Sequence, residues 1–242
     1  MKYPILALLL CFCCLSCQVS ETLTVDEKGQ GSITVTELRD EQSYMQLVGE
    51  EYTKETFFKD TTYFFQDVIS KHQETFGRLP DSEKAIFQKY AAVTVHEFKS
   101  AIEKIFRTTI KHSFNSVEEI PDLYKTEDYA DDIVNNYALV AEEHYYLVSF
   151  GLKDNVFSRK VKITNPTELK KQQDEISNLK KRYEAFNLKQ DLVLDYHFAR
   201  KIKWVSNPSA QISEDRKSLQ LKLLLSDCLS NPESTNLEVF FE

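Results

Sequence analysis

Alternating apolar and polar positions mark two hairpins, one near the start of the chain and one in its middle. Residues 22–26 and 32–36 alternate on either side of a short loop that contains glycine. Residues 144–150 and 156–163 do the same around 153–155, whose composition is typical of a turn. Since successive side chains of a strand point to opposite faces, each hairpin is predicted to bury one face against a core.

The C-terminal part of the chain carries three further strand signals. Residues 194–204 alternate over the longest run in the sequence, and Asn207-Pro208 ends it. Residues 219–223 follow a charged turn and are predicted to continue the same sheet. Residues 237–241 alternate almost to the last residue, so the C-terminus is predicted to be held in the sheet rather than frayed.

Apolar residues at helical spacing predict four helices between the strands. The predicted helices span 62–76, 81–90, 127–140 and 166–187. Gly77 and Pro80 end the first helix, and the last is a charged surface helix with a narrow apolar stripe. The region at 38–60 is mixed, and only a short helical face stands out in it.

Residues 93–114 allow two interpretations. An isoleucine-rich stripe fits a helix, whereas β-branched clusters at 93–95 and 108–110 favour strands. β-branched side chains lose rotamer freedom in helices and pack well on sheets, so we predict two strands. Hairpins at both ends and in the middle, with interspersed helices packed on them, predict an α+β fold built on a mostly antiparallel sheet.

The start of the chain has the pattern of an export signal. Lys2 precedes an apolar run at 5–12, which is shorter than the roughly 20 residues that a membrane-spanning helix needs. The segment closes on Leu15-Ser16-Cys17, which resembles the lipobox of bacterial lipoproteins. In that motif a small residue precedes a cysteine that is lipidated and then exposed by signal peptidase II. The resemblance implies cleavage between Ser16 and Cys17 and a lipid on Cys17.

The lipobox assignment has one departure and one alternative. Cys14 stands where a branched aliphatic residue is commoner, and an ordinary cleaved signal peptide without a lipid is the alternative. With the lipid, we predict a signal peptide at 1–16, a short lipid-anchored linker at 17–21 and a single domain at 22–242. A linker of about five residues spans roughly 17 Å when extended, so the domain is expected close to the bilayer.

The residue after Cys17 bears on the location of the protein. Gln18 stands where an aspartate would signal retention in the inner membrane. No acidic cluster of the kind found in surface-exposed lipoproteins follows it. By resemblance to these sorting rules, the expected location is the periplasmic face of the outer membrane.

Composition argues against several classes of function. The net charge of −8 disfavours nucleic acid, because phosphate binding requires a basic face. Only five glycines occur, none of them in a phosphate-binding loop motif, so a nucleotide site is not expected. Four of the five cysteines lie within 11–17, so Cys228 has no partner for an intrachain disulfide in the mature protein and is expected to be buried.

Candidate catalytic and metal-ligating patterns are weak. The five histidines stand apart without zinc-binding spacing, and a strand histidine near carboxylates is more often a solvated side chain than a ligand. The Ser177-x-x-Lys180 pattern matches the dyad of penicillin-recognising enzymes, but it lies inside a charged helix and lacks the accompanying motifs. No catalytic residue, metal ligand or cofactor is therefore predicted.

Aromatic residues are abundant, with sixteen phenylalanines, twelve tyrosines and one tryptophan. Clusters lie at 57–65 and 145–150. A well-filled core is the simplest explanation. The sharper hypothesis is an apolar cleft between sheet and helices that holds a lipid or another hydrophobic ligand.

Several segments resemble a group of uncharacterised lipoproteins of the Bacteroidota type. They are residues 23–32, 195–202, 205–207, 212–219 and 231–239. The layout of a lipid anchor, a glycine-turned hairpin and a late strand–turn–strand is also similar to that of mycobacterial lipoproteins with a lipid-binding domain, although a shared layout does not fix function. Neither resemblance brings a catalytic residue to this chain.

These observations favour a membrane-anchored, non-enzymatic lipoprotein whose domain binds a partner protein or a hydrophobic molecule in envelope maintenance. The expected partners are the membrane, through the lipid on Cys17, and such a ligand, with neither nucleic acid nor nucleotide. The alternative is an envelope hydrolase with an acidic site assembled in the fold. An aromatic pocket without converging ionisable groups would favour the binding module, and two carboxylates with mutually shifted titration in one cleft would favour the hydrolase.

Overall fold

Two β-sheets with helices packed on them make up the structure, a computed structural model that describes residues 17–135, 145–182 and 190–242. The predicted signal peptide, including Ser16, lies outside the described residues. The final residues of the helices predicted at 127–140 and 166–187 lie outside them as well. Within the described ranges, twelve strands and seven helices confirm the predicted α+β class.

The strands divide into a large and a small sheet. They are β1 (Cys17–Val25), β2 (Gly31–Arg39), β3 (Phe58–Phe64), β4 (Thr94–Ser100), β5 (Ile105–Phe114), β6 (Tyr146–Lys153), β7 (Val156–Ile163), β8 (Asp191–Phe198), β9 (Ile202–Val205), β10 (Gln211–Ile212), β11 (Ser218–Leu224) and β12 (Leu237–Phe241). The large sheet has the order β10-β11-β8-β1-β2-β5-β4-β3 and the small one β6-β7-β12-β9. Neighbouring strands are antiparallel except β1 and β8, which are parallel.

Seven helices of six to seventeen residues connect and cover the sheets. They are α1 (Glu41–Val48), α2 (Phe65–Lys71), α3 (Gln73–Arg78), α4 (Asp81–Gln88), α5 (Thr126–Asn135), α6 (Pro166–Arg182) and α7 (Leu225–Ser230). None of the helices in the described ranges combines the length and the apolar character that crossing a bilayer requires.

The core lies between the two sheets and beneath the helices. In the central strand β1, alternate residues such as Val19, Leu23 and Val25 are buried, as the period of two requires. Phe157 of β7 contacts Phe198 of β8, with ring centroids 5.3 Å apart, and so joins the small sheet to the large one. The inner faces of the two sheets therefore share one apolar interior.

A second aromatic cluster fixes three helices to this core. Phe65 of α2 lies 5.5 Å from Tyr90, measured between ring centroids. Tyr129 of α5 meets both Phe87 of α4, at 5.2 Å, and Tyr90, at 5.0 Å, edge to face. Edge-to-face packing of this kind is favourable beyond the apolar area it buries.

The two predicted hairpins are confirmed as β1–β2 and β6–β7. Residues 93–114 form two strands, as predicted, and 219–223 and 237–241 fall within β11 and β12. The first hairpin needs glycine at two positions. Gly29 has a φ of 81°, and a Cβ on Gly31 would collide with the backbone carbonyl oxygen of Thr24.

The helix predicted at 62–76 is wrong at its start. Residues up to Phe64 belong to β3, which pairs with β4 at the edge of the large sheet. The helical spacing begins only at Phe65, whose backbone N–H donates to the carbonyl oxygen of Val93. An edge strand has one free side and buries little, so its aromatic residues do not alternate in the way that marks a strand.

The single strand predicted at 194–204 is also wrong. β8 ends at Phe198 in the large sheet, and the chain bends through 199–201 before Ile202 starts β9 in the small sheet. Trp204, which the alternation placed on the buried face, is 54% exposed. The apolar residues Ile202 and Trp204 extend the sequence alternation of β8 across the bend although only Ile202 is buried, so the pattern conceals the break.

A short lipid-anchored linker is the prediction for residues 17–21. They are the first part of β1 and pair with β2 from Cys17 onward and with β8 from Val19 onward. Glu21 in this segment has no exposed surface at all. A charged residue at a core-facing position interrupts the apolar pattern, so the alternation signal starts later than the strand.

Candidate functional site

The predicted lipidation site opens the central strand of the large sheet. Cys17 is the first residue of β1 and pairs with Arg39 of β2. The turn at 101–104 and the start of β3 at Phe58 lie at the same end, because the intervening strands are paired in register. We call this edge the Cys17 end of the sheet. Ser16, the other predicted site residue, lies outside the described residues.

An ion cluster around Arg39 closes the Cys17 end. The guanidinium lies 3.7 Å from the ring centroid of Tyr44 and 3.4 Å from that of Phe106. It pairs with Glu41 at 2.6 Å and with Glu55 at 3.0 Å. Burial by itself would lower the pKa of Arg39, but hydrogen bonds to both carboxylates raise it. The cluster therefore fixes α1 and the following turn against the sheet.

The most deeply buried charges are Glu21 of β1 and Arg159 of β7, which are 0% and 2% exposed. Arg159 Nε donates to Glu21 Oε1 at 3.2 Å and Nη2 donates to Oε2 at 3.4 Å. The hydroxyl of Tyr124 donates to Oε2 at 2.7 Å, and that of Tyr196 donates to Oε1. This ion pair links the large sheet directly to the small one.

The remaining hydrogen-bond capacity of Arg159 is used inside the protein. Its Nη1 donates to the hydroxyl of Thr235 at 2.5 Å and to the carbonyl oxygen of Thr235 at 3.3 Å. Burial alone would lower the pKa of Arg159, but Glu21 raises it well above its ordinary value. Burial raises the pKa of the Tyr124 and Tyr196 hydroxyls, and Glu21 adds to that rise. The arrangement holds the sheets together and leaves these groups occupied with one another.

Asp122 is a second buried carboxylate near this pair. It is 3% exposed, and its Oδ2 accepts the backbone N–H of Val148 at 2.8 Å. Burial raises its pKa to about 6. Its backbone carbonyl accepts the hydroxyl of Tyr90 at 2.9 Å. Asp122 thus ties the segment before α5 to β6.

A group of carboxylates lies where the first turns of α5 meet β2. We call Glu37, Glu127, Asp128 and Asp131 the acidic cluster. Burial raises the pKa of Glu127 to about 7, and Glu37 adds to the rise. Burial and then Asp128 raise the pKa of Glu37. A carboxyl group that titrates near neutral pH can give or take a proton, so this cluster is the feature that favours a hydrolase.

Lysines balance the neighbouring carboxylate of β4. Glu97 is 6% exposed and accepts from Lys99 at 2.7 Å and from Lys59. Burial by itself would raise the pKa of Glu97, but these two hydrogen bonds lower it. In the described part of the chain, no group of three or more His, Cys, Asp and Glu side chains is arranged to hold a metal ion.

Two shallow cavities lie at the hairpin turns, away from the acidic cluster. One of about 370 Å³ is lined by 24–26, 30–31 and 197–199, and one of about 340 Å³ by residues of the β6–β7 turn with Glu118 and Glu238. Both are at the opposite end of the sheet from Cys17. Neither is lined by the acidic cluster or by a set of converging aromatic side chains.

The aromatic residues that suggested an apolar cleft are divided between core and surface. Phe65, Tyr145 and Phe150 are buried. Phe57 and Phe58 are instead 52% and 63% exposed, at the Cys17 end. The exposed pair is a feature that the sequence did not distinguish from its buried neighbours.

The structure shows the surroundings of two remaining sequence candidates, Cys228 and the Ser177-x-x-Lys180 pattern. Cys228 is buried in α7, as predicted, and burial raises the pKa of its thiol. Lys180 of the Ser177-x-x-Lys180 pattern pairs with Asp227 at 2.7 Å on the surface. That contact fastens α6 to α7 and does not assemble a catalytic dyad.

Comparisons with known proteins identify a distant structural neighbour. No family model matches the chain, and no curated protein matches it. Among solved structures, the folded domain of the Mycobacterium tuberculosis protein LppM superposes with a TM-score of 0.41 at 10% sequence identity, covering 94% of this chain and 91% of that one. A similarity of this degree does not identify a function.

We expect Glu21→Gln to lower the free energy of unfolding by about 3–5 kcal/mol, because it leaves Arg159 buried without its counter-charge. Urea unfolding followed by circular dichroism measures the change. The double variant Glu21→Leu/Arg159→Met removes both charges and is expected to be less destabilised than Glu21→Gln. A Glu21→Gln protein as stable as the parent would contradict a role for the pair in joining the sheets.

Glu127 should make the protein less stable as the pH rises. Its pKa is about 7 in the folded state against 4.5 ordinarily, so folding favours the protonated form. The associated stability is fully present below pH 4.5 and is lost as the pH rises through about 7. Glu127→Gln mimics the protonated group and should raise the free energy of unfolding at pH 8 by about 1–3 kcal/mol, with little change at pH 4.

Urea unfolding at pH 4, 6 and 8 checks this expectation. Glu214→Gln, in an exposed turn, is the matched control and should leave the pH profile unchanged. Parallel pH profiles for the parent and Glu127→Gln would show that folding does not raise the pKa of the Glu127 carboxyl group.

Proposed function

We propose that the protein is a lipoprotein of the bacterial cell envelope. Residues 1–16 act as its signal peptide, and signal peptidase II cuts between Ser16 and Cys17. Cys17 carries fatty acyl chains such as palmitate, which hold the protein on the periplasmic face of the outer membrane. Several acyl chains on one residue give an anchoring that a single chain cannot, since each buried CH₂ contributes about 0.8 kcal/mol.

The start of β1 is the observation that supports this proposal most strongly. Cys17, the residue at which the lipobox places the new N-terminus, is paired with Arg39 of β2. Cleavage there leaves every described residue of β1 in the mature protein. Cleavage before Cys17 is therefore compatible with the described sheet.

We further propose that the domain is a non-enzymatic module that binds a hydrophobic molecule or a partner protein in envelope maintenance. The saturated pairing of Glu21 and Arg159 supports a structural role for the most buried charges. The exposed aromatic side chains of Phe57 and Phe58 provide apolar surface outside the core. Large exposed apolar groups that lie together mark interaction sites more often than chance would place them.

An envelope hydrolase is the second candidate, and the acidic cluster is the observation that favours it. Glu127, with a pKa of about 7, has the titration of a general acid or base at neutral pH. Neither of the two cavities at the hairpin turns reaches it, however. A substrate would need direct access to this carboxyl group, so the binding module is the better supported function.

Cys17→Ala should abolish both lipidation and cleavage. Cells grown with an alkyne-bearing fatty acid are expected to label the parent protein, which should have the mass of the cleaved, lipidated chain. The Cys17→Ala variant should remain unlabelled and keep residues 1–16, because signal peptidase II acts on the lipidated cysteine. Gel fluorescence and intact-protein mass spectrometry measure the two changes.

Cys14→Ala is the matched control, because it removes a neighbouring cysteine of the same signal. This variant should label and mature like the parent. Label that persists in Cys17→Ala and disappears in Cys14→Ala would move the lipid to Cys14. Label in neither the parent nor the control would reject lipidation altogether.

A hydrophobic ligand should accompany the protein out of its own membrane. In native mass spectrometry of protein extracted with mild detergent, we expect a mass above that of the covalently lipidated chain. The excess should disappear under denaturing conditions, because the ligand is held without a covalent bond. Identical native and denatured masses would reject the ligand and leave a partner protein as the remaining form of the binding proposal.

A further inference from the structure

We propose that the Cys17 end of the large sheet is a membrane-contacting surface that enters the headgroup–acyl boundary of a phospholipid bilayer. This inference rests on the proposed lipidation of Cys17. The surface consists of six exposed apolar side chains, namely Leu38, Met45, Phe57, Phe58, Ile102 and Leu224. We call them the apolar rim. They are six of the eleven large apolar side chains that are exposed in the described part of the chain.

Strand register places the apolar rim on both sides of Cys17. Arg39 is the partner of Cys17, so Leu38 of the adjacent β2 is next to the anchor. On the other side of β1, Leu224 pairs with Asp191, which precedes the residue paired with Val19. Cys17 therefore lies within the row of apolar side chains and not at its margin.

Phe57, Phe58 and Ile102 lie at or beyond the ends of strands. Phe58 is the first residue of β3, and the carbonyl of Phe57 accepts the N–H of Ala101 in the turn between β4 and β5. Ile102 is in that turn and is 89% exposed. Met45 belongs to α1, which begins directly after Asp40. At about 4.8 Å between strands, the seven strands from β11 to β3 spread the rim over roughly 29 Å.

The place of Cys17 in β1 brings this surface to the bilayer. β1 is paired from its first residue, so a lipid on Cys17 is attached to the sheet edge itself. An acyl chain that enters the membrane leaves the rim only a few ångströms from the headgroups, because one extended residue spans about 3.3–3.6 Å. Apolar side chains held at that depth are buried favourably at the interface, as in proteins that lie on a membrane without crossing it.

The basic side chains of Arg39 and Lys104 next to the rim are already paired, so approach to lipid does not leave these two charges unbalanced. Arg39 is held by two carboxylates, and Lys104 lies 3.7 Å from Glu55 and 3.9 Å from the ring centroid of Tyr52. Tyr44 donates its hydroxyl to Glu55 at 2.7 Å. Tyrosine is a side chain that membrane interfaces favour, since its ring is apolar and its hydroxyl polar.

The occupant is a lipid surface and not an anionic or basic partner. Glu50 and Glu51 are exposed beside the rim together with Lys54, so the local charge is mixed. A surface without one dominant charge has little electrostatic attraction for a charged partner. Its contact with lipid depends on apolar burial and should be insensitive to salt.

Tryptophan fluorescence tests the depth of the rim. The chain has one natural tryptophan, Trp204, which pairs with Phe240 at the end of the molecule that carries the β6–β7 turn. The test variant combines Trp204→Phe with Ile102→Trp, a substitution at a highly exposed position. The lipidated proteins are reconstituted in phosphatidylcholine vesicles, with or without bromine on the acyl chains near the headgroups.

The bromolipid should at least halve the emission from the Ile102→Trp variant, at both low and high salt. A second variant with Met45→Trp in place of Ile102→Trp should respond in the same way. Trp204 in the parent chain is the control and should keep its emission, because it lies in the small sheet at the end of the molecule that carries the β6–β7 turn.

The other possible results distinguish the proposal of a membrane-contacting surface from the proposal that Cys17 is lipidated. Unquenched emission from both variants, with fatty acid present on Cys17, would overturn the membrane-contacting surface and leave the lipoprotein intact. That outcome would assign the rim to a second copy or to another protein. Absence of fatty acid from Cys17 in the reconstituted parent would overturn both proposals.

Discussion

The arrangement of the two sheets depends on the ion pair between Glu21 and Arg159. Taking each charge out of water costs several kcal/mol, so the pair is tolerated only with further hydrogen bonds. Tyr124 and Tyr196 donate to the carboxylate, and Thr235 accepts from the guanidinium. A slip of β1 by one residue would turn Glu21 out of the core, so the pair selects the register of β1 as well as the partner sheet.

Much of the fold could be predicted from the sequence because its strand signals are local. Alternation and turn composition are enough for both hairpins and for the strands at 93–114. The beginning of β1 could not be predicted, since the partner that explains Glu21 is 138 positions away. The bend at 199–201 was concealed for another reason, namely that apolar residues continue the alternation in sequence through Trp204, although Trp204 is exposed.

Only the part of the candidate site whose residues are neighbours in sequence could be predicted. Cys17 ends a continuous export signal, whereas the acidic cluster joins Glu37 to Glu127 across a large part of the chain. Acidic residues in the first turn of a helix are ordinary because they complement the helix dipole. Their sequence therefore gives no sign that they also face a carboxylate on a strand. The same separation hides the rim, whose residues come from five different segments.

β1 connects the proposed anchor to the centre of the fold. Cys17 and Glu21 belong to one strand, which is hydrogen-bonded to β2 along its whole length and to β8 from Val19 onward. A flexible tether would let the domain rotate freely above the bilayer, but a paired strand transmits the orientation of the sheet to its first residue. Releasing Cys17 from the sheet would require breaking β1–β2 pairing within four residues of the buried ion pair. The interaction that joins the two sheets therefore also limits how the domain can stand on a membrane.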